Sequence, residues 1–132
     1  MQDLSLPITT FLASSLLGRL LILSWRVIRA RQSGGPSLGD DGDKSLQRKI
    51  RAQANLAEYA PLFVVLIAIL ELQDGNWIIL TILSLMFLAG RLAHGYALAF
   101  TQRNVTGRLG GMGLTIAAAA LAVIHGFAVM VF

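Results

Sequence analysis

The stretch RAQANLAEYAPLFVVLIAIL, Arg51 to Leu70, joins two kinds of chain. Its first part puts Arg51, Asn55, Glu58 and Tyr59 at spacings i, i+4, i+7 and i+8, which share one face of a helix. Its second part is an apolar run suited to a bilayer interior. A cation, an amide, a carboxylate and a phenol therefore stand together at a membrane boundary. Such groups need partners, either within the protein or from a polar ligand. Two readings are open here: a structural network in which Glu58 neutralises an arginine, and a ligand site. Pro61 lies inside the pattern and cannot donate to the carbonyl of Ala57, so a local bend is expected.

The rest of the chain carries the apolar signal further. Hydrophobic residues make up 55% of the 132 residues and charged residues 14%, and the mean hydropathy is +0.68. Several runs reach the ~20 residues needed to cross a bilayer. These features predict an all-α, integral-membrane four-helix bundle forming a single domain over residues 1–132, with helices at roughly 4–31, 44–72, 77–100 and 108–131. The loop QSGGPSLGDDGD, Gln32 to Asp43, breaks the first helix from the second, and QDGN, Gln73 to Asn76, is a turn. Trp77 suits an interface anchor.

Charge sets an orientation. The net charge is +4, yet seven of the eleven basic residues fall between Arg26 and Arg51, around the first loop. That is a topology signal rather than a nucleic-acid signal, with attraction to anionic lipid headgroups as a secondary effect. The Thr101–Arg108 connection is also basic, whereas Glu71–Asn76 carries Glu71 and Asp74 and no cation. The positive-inside rule then places both basic connections in the cytoplasm and both termini outside it. The first charge is Asp3, and basic residues follow the first apolar run, so the N-terminus reads as an uncleaved helix.

The absence of cysteine excludes disulfides, thiolate metal sites and a cysteine nucleophile, so any sulfur chemistry needs a borrowed thiol. Further polar groups fall within the apolar spans. Arg91 and His94 share a face of the third helix, with Leu98 one turn further on. Arg91 lies roughly 14 Å from the end of its helix, and Glu58 roughly 10 Å inward of Arg51, by the helical rise. An Arg91–Glu58 pair is therefore expected. His94 is either a packed histidine with one hydrogen bond or a ligand group. Arg19 sits mid-span with no acid nearby in sequence, and must snorkel, pair across helices or line a polar interior. The pairs Gly107/Gly111, Gly110/Gly113 and Ser14/Gly18 provide small surfaces for helix packing, within the chain or between copies.

The block RAQANLAEYAPLF, together with GRLAH (Gly90–His94) and VIRAR (Val27–Arg31), resembles the MAPEG family, membrane-associated proteins in eicosanoid and glutathione metabolism. The first block is similar to the leukotriene-forming glutathione transferases, and GRLAH to the microsomal prostaglandin E synthase branch. The resemblance implies a homotrimer in the membrane, with glutathione as co-substrate between neighbouring subunits. It implies that Arg31, Arg51, Gln53, Asn55, Glu58, Tyr59, Arg91 and His94 hold glutathione and that Arg108 faces its sulfur, with Arg103 the rival. Leu98 departs from the family pattern, which often has a tyrosine there. Tyr96 stands two residues away, on another face.

The implied activity is a glutathione transferase, with a possible peroxidase function, joining glutathione thiolate to a lipophilic electrophile or reducing a lipid hydroperoxide. The alternative is a non-catalytic lipid-binding scaffold of the same family, which also contains the five-lipoxygenase-activating protein. A small multidrug transporter needs an acid embedded in its first helix, and here that helix carries Arg19 instead. The short chain suits a bacterial inner membrane, and the endoplasmic reticulum in a eukaryote.

Overall fold

In the computed structural model, residues 5–131 are described. Four helices follow one another: α1 (Pro7–Gln32), α2 (Lys44–Leu72), α3 (Trp77–Ala99) and α4 (Val105–Val131). Each is long and apolar enough to cross a bilayer. The start expected at Leu4, like Asp3, lies outside the described residues. α4 begins three residues before Arg108, because Asn104 caps it: the Asn104 Oδ1 accepts from the Gly107 N–H at 2.8 Å. α2 continues through Pro61 without interruption.

The helix ends follow from capping chemistry. The Asp43 carboxylate accepts from the Ser45 and Leu46 amides at 2.7 and 3.2 Å, and the Asn76 side chain does the same for Ile78 and Ile79 at 3.0 and 3.3 Å. α1 has Pro7 in its first turn and no cap from its own segment. Its free amides are taken instead by Glu71, at the end of α2. The two carboxylate oxygens accept from Ile8 N and Thr9 N at 2.9 and 2.8 Å, and Thr9 Oγ1 donates at 2.6 Å. A negative group at a helix N-terminus is also favoured by the helix dipole.

α3 is the most enclosed of the four helices. It packs along α4 and also touches α2 and α1, while α1 and α4 have no close backbone approach among the described residues. The core runs through Leu12, Leu16, Leu23, Leu56, Ile67, Leu80 and Phe87, with Phe63 and Phe87 stacked at 3.9 Å between ring centroids. The α3–α4 crossing is close because Gly90 faces Gly111. A Cβ on Gly111 would overlap the His94 amide nitrogen and sit 2.8 Å from the Gly90 oxygen. Gly111 therefore serves packing within the chain, whereas Gly18, Gly110 and Gly113 face open space.

The mid-span Arg19 pairs across helices. Its Nη2 donates to the Leu92 carbonyl at 2.9 Å, and Arg26 Nη2 donates to the Ala99 carbonyl at 2.8 Å. Donors and acceptors are each seven residues apart, as two parallel helices require. Arg26 also lies over the Phe100 ring at 3.9 Å.

Candidate functional site

The site is built where α2, α3 and α4 meet. Arg91 is only 2% exposed. Its Nη1 donates to Asn55 Oδ1 at 2.7 Å, its Nε to Thr115 Oγ1 at 2.9 Å, and its Nη2 approaches Met112 Sδ at 3.5 Å. The guanidinium carbon lies 5.3 Å from the centre of the Tyr59 ring and 6.0 Å from that of Phe87. The Thr115 hydroxyl donates in turn to the Gly111 carbonyl at 2.8 Å. A buried cation is thus held by neutral oxygens and aromatic faces, with no carboxylate in contact among the described residues.

The expected pairing of Arg91 with Glu58 does not form. Glu58 points outward and meets Arg51 at 3.8 Å, with the side chains 53% and 58% exposed. The reason lies in helix geometry. Asn55 is three residues before Glu58, and the angular offset turns Asn55 into the bundle while Glu58 stays on the rim. The shorter amide reaches the arginine, and the carboxylate stays half exposed beside Arg51.

The other residues singled out in the sequence divide between the loops and the interior. Arg31 Nη1 donates to the Pro36 and Gly39 carbonyls at 2.7 and 3.0 Å and folds the first loop. Gln53 Nε2 donates to Ser24 Oγ at 3.0 Å, tying α2 to α1. Buried His94 makes one hydrogen bond, between Nδ1 and the Arg108 carbonyl at 3.0 Å, while its Nε2 has no partner among the described residues. Arg108 is exposed in the first turn of α4. Asn55, Tyr59 and Arg91 are brought together, and Arg51 pairs with Glu58. No hydrogen bond or ion pair joins the Arg108 side chain to either group among the described residues. Tyr96 stacks on Phe100 at 5.6 Å on an exposed face, apart from Arg91.

Three contributors were not singled out in the sequence. Thr115 and Met112 hold Arg91 from α4. Thr115 carries the only hydroxyl in the apolar run Leu114–Ile124, and that was the available signal. Arg48, one turn before Arg51, joins Arg103 and Arg108 around a small cavity. An apolar groove of about 370 Å³ runs between α1 and α2, lined by Leu16, Leu20, Leu56, Ala60, Pro61 and Val64.

Four bilayer-length helices with a buried polar cluster make this an integral-membrane α-helical bundle. The MAPEG family model matches residues 9–128, and the chain belongs to the MAPEG family. It is 34% identical over 105 residues to the inner membrane protein YecN of Escherichia coli strain K12, covering 80% of this chain and 79% of that protein. The YecN protein of Escherichia coli O6:H1 matches to the same extent.

Proposed function

We propose that this protein is a membrane glutathione transferase with peroxidase-like capacity, working as a homotrimer in a bacterial inner membrane with both termini outside the cytoplasm. The observation that carries this reading is the Arg51–Glu58 face. Its two charges are more than half exposed and loosely paired at 3.8 Å. Asn55 and Tyr59 stand beside them, steadied by Arg91 from behind. Glutathione has two carboxylates and one ammonium. Arg51 suits a carboxylate through charge-assisted hydrogen bonds, and Glu58 suits the ammonium. Arg91 is too enclosed to touch the peptide and acts as a positioning residue for Asn55 and Tyr59.

A thiol with a pKa of about 8.5 is mostly protonated at neutral pH. A guanidinium beside the sulfur favours the thiolate, the reactive form. Exposed Arg108 is assigned that role in a neighbouring copy's site, which the trimer would bring together. Outward apolar faces on α1 and α4 support such an assembly, since Leu17, Leu21, Leu109 and Ile116 are exposed on the single chain. In the transfer reaction a carbon–sulfur bond forms and the electrophile releases its leaving group or takes up a proton. In the reduction, one lipid hydroperoxide and two thiols give an alcohol, water and a disulfide. The groove between α1 and α2 supports an apolar acceptor arriving from the bilayer, since pockets of about 300–1,000 Å³ hold small molecules. The relatives' naming as inner membrane proteins supports the location.

Calorimetry of the full chain in detergent or lipid with glutathione tests this reading. Saturable binding, weakened by Arg51→Gln and by Glu58→Gln, is the expected result. Absence of binding would leave the lipid-binding scaffold, a reading that Leu98 in place of a phenol also fits.

A further inference from the structure

The small cavity between the second turn of α2 and the α3–α4 connection is lined by Arg48, Arg103 and Arg108, with Gln102, Asn104 and Leu98. We propose that this pocket is a binding site for a phosphate group.

Arg48 from α2 and Arg103 from the α3–α4 connection line it beside Arg108, the residue assigned above to the sulfur, and its lining contains no carboxylate. None of the three is within ion-pair distance of an acid among the described residues, where the ion pair found is Arg51–Glu58. Asn104 uses its Oδ1 to cap α4, which leaves its amide N–H groups as donors at the rim. Gly107 permits this: a Cβ there would lie 2.8 Å from Asn104 Nδ2. The lining therefore sets three arginines and two amides against the apolar Ala97, Leu98 and Val105. A topology signal requires positive charge at this end of the bundle but does not require three arginines around one cavity.

The cavity holds about 120 Å³, which admits a single anionic group. Phosphate suits it better than carboxylate because it has more peripheral oxygens for donors arriving from several directions. Guanidinium groups bind phosphate in bidentate fashion, and the N-terminus of α4 adds a favourable dipole. The phosphate could belong to a lipid headgroup at the membrane surface or to a soluble compound. The chemistry is shared, and the proposal goes beyond the thiol chemistry above.

The test uses the purified full chain in detergent without glutathione, comparing wild type with Arg48→Gln/Arg103→Gln. Inorganic phosphate is titrated by calorimetry. In parallel, native mass spectrometry reads retention of phosphatidylglycerol against phosphatidylcholine. A loss of about tenfold or more in phosphate affinity in the variant supports the site with a soluble source, since one charged hydrogen bond alone is worth about that. A phosphatidylglycerol preference that disappears in the variant, with no heat from inorganic phosphate, supports it with a lipid source. Equal behaviour of variant and wild type in both arms overturns it. If the double variant melts early, Arg103→Gln alone, on the exposed connection, carries the same comparison. Because glutathione is absent from both phosphate arms, failure here is distinct from failure of the proposed transferase activity.

Discussion

Arg91 on α3 donates to Asn55 Oδ1 on α2 at 2.7 Å, and the buried cation has no carboxylate in contact among the described residues. Breaking such a contact from one side differs from removing it altogether. Asn55→Leu leaves a charged donor without its acceptor, at an expected cost of about 1.5–3 kcal/mol. Adding Arg91→Met removes the stranded charge, and similar apolar replacements of buried polar groups are often near neutral. The double variant is therefore expected to unfold later than Asn55→Leu alone. Thermal unfolding in one detergent measures it. Additive losses would show that the two side chains are not coupled.

Glu71 connects the end of α2 to the start of α1 through Ile8 N, Thr9 N and Thr9 Oγ1. Glu71→Ala frees these amides with no local side chain to take them. The expected cost is about 0.5–2 kcal/mol, the usual range for a lost cap. Hydrogen exchange should quicken at Ile8 and Thr9 and stay unchanged at the Asn76-capped start of α3. Uniform quickening across both helices would contradict a local cap.

Gly111 and Gly113 are two residues apart on α4, yet a methyl group should act on them with opposite sign. At Gly111 it overlaps the backbone of α3, while at Gly113 it meets nothing within 4 Å. Gly111→Ala is expected to destabilise by about 1–3 kcal/mol through overpacking. Gly113→Ala should be neutral or stabilising by up to about 1 kcal/mol, since alanine favours helix more than glycine does. Melting temperatures of the two variants decide it, and equal shifts would place the close crossing elsewhere.

The bundle was legible because its signals are local. Lys44 to Leu72 reads as one helix from the loop before it and the turn after it, and the caps Asp43 and Asn76 stand immediately before α2 and α3. The candidate site was legible only by face. The i, i+4 spacing puts Arg51 and Asn55 on one side of α2, but it leaves undecided which of Asn55 and Glu58 turns inward. That choice depends on where α3 and α4 press against α2, and those contacts are made by residues far apart in the chain. The same limit hid Thr115, which reaches Arg91 across 24 positions of sequence. It also hid the role of Glu71, whose partners lie at the other end of the first two helices.

Arg51 and Arg108 should separate binding from turnover. Arg51 belongs to the exposed face assigned to the peptide carboxylates, while Arg108 is assigned to the sulfur. Arg51→Gln removes a charge-assisted contact made equally before and during reaction. It should weaken glutathione binding by about 10- to 100-fold with a smaller effect on the rate at saturation. Arg108→Ala removes stabilisation of the thiolate, so it should lower kcat far more than it weakens binding. The ultraviolet thiolate absorbance of its glutathione complex should fall at a fixed pH near neutrality, a readout that a purely structural change would not move. Calorimetry and initial rates with an aryl halide electrophile provide both numbers. Full activity in Arg108→Ala, with Arg103→Ala inactive, would move the catalytic role into the α3–α4 connection. Arg103 would then face the sulfur, and Arg108 would remain a first-turn cation of α4.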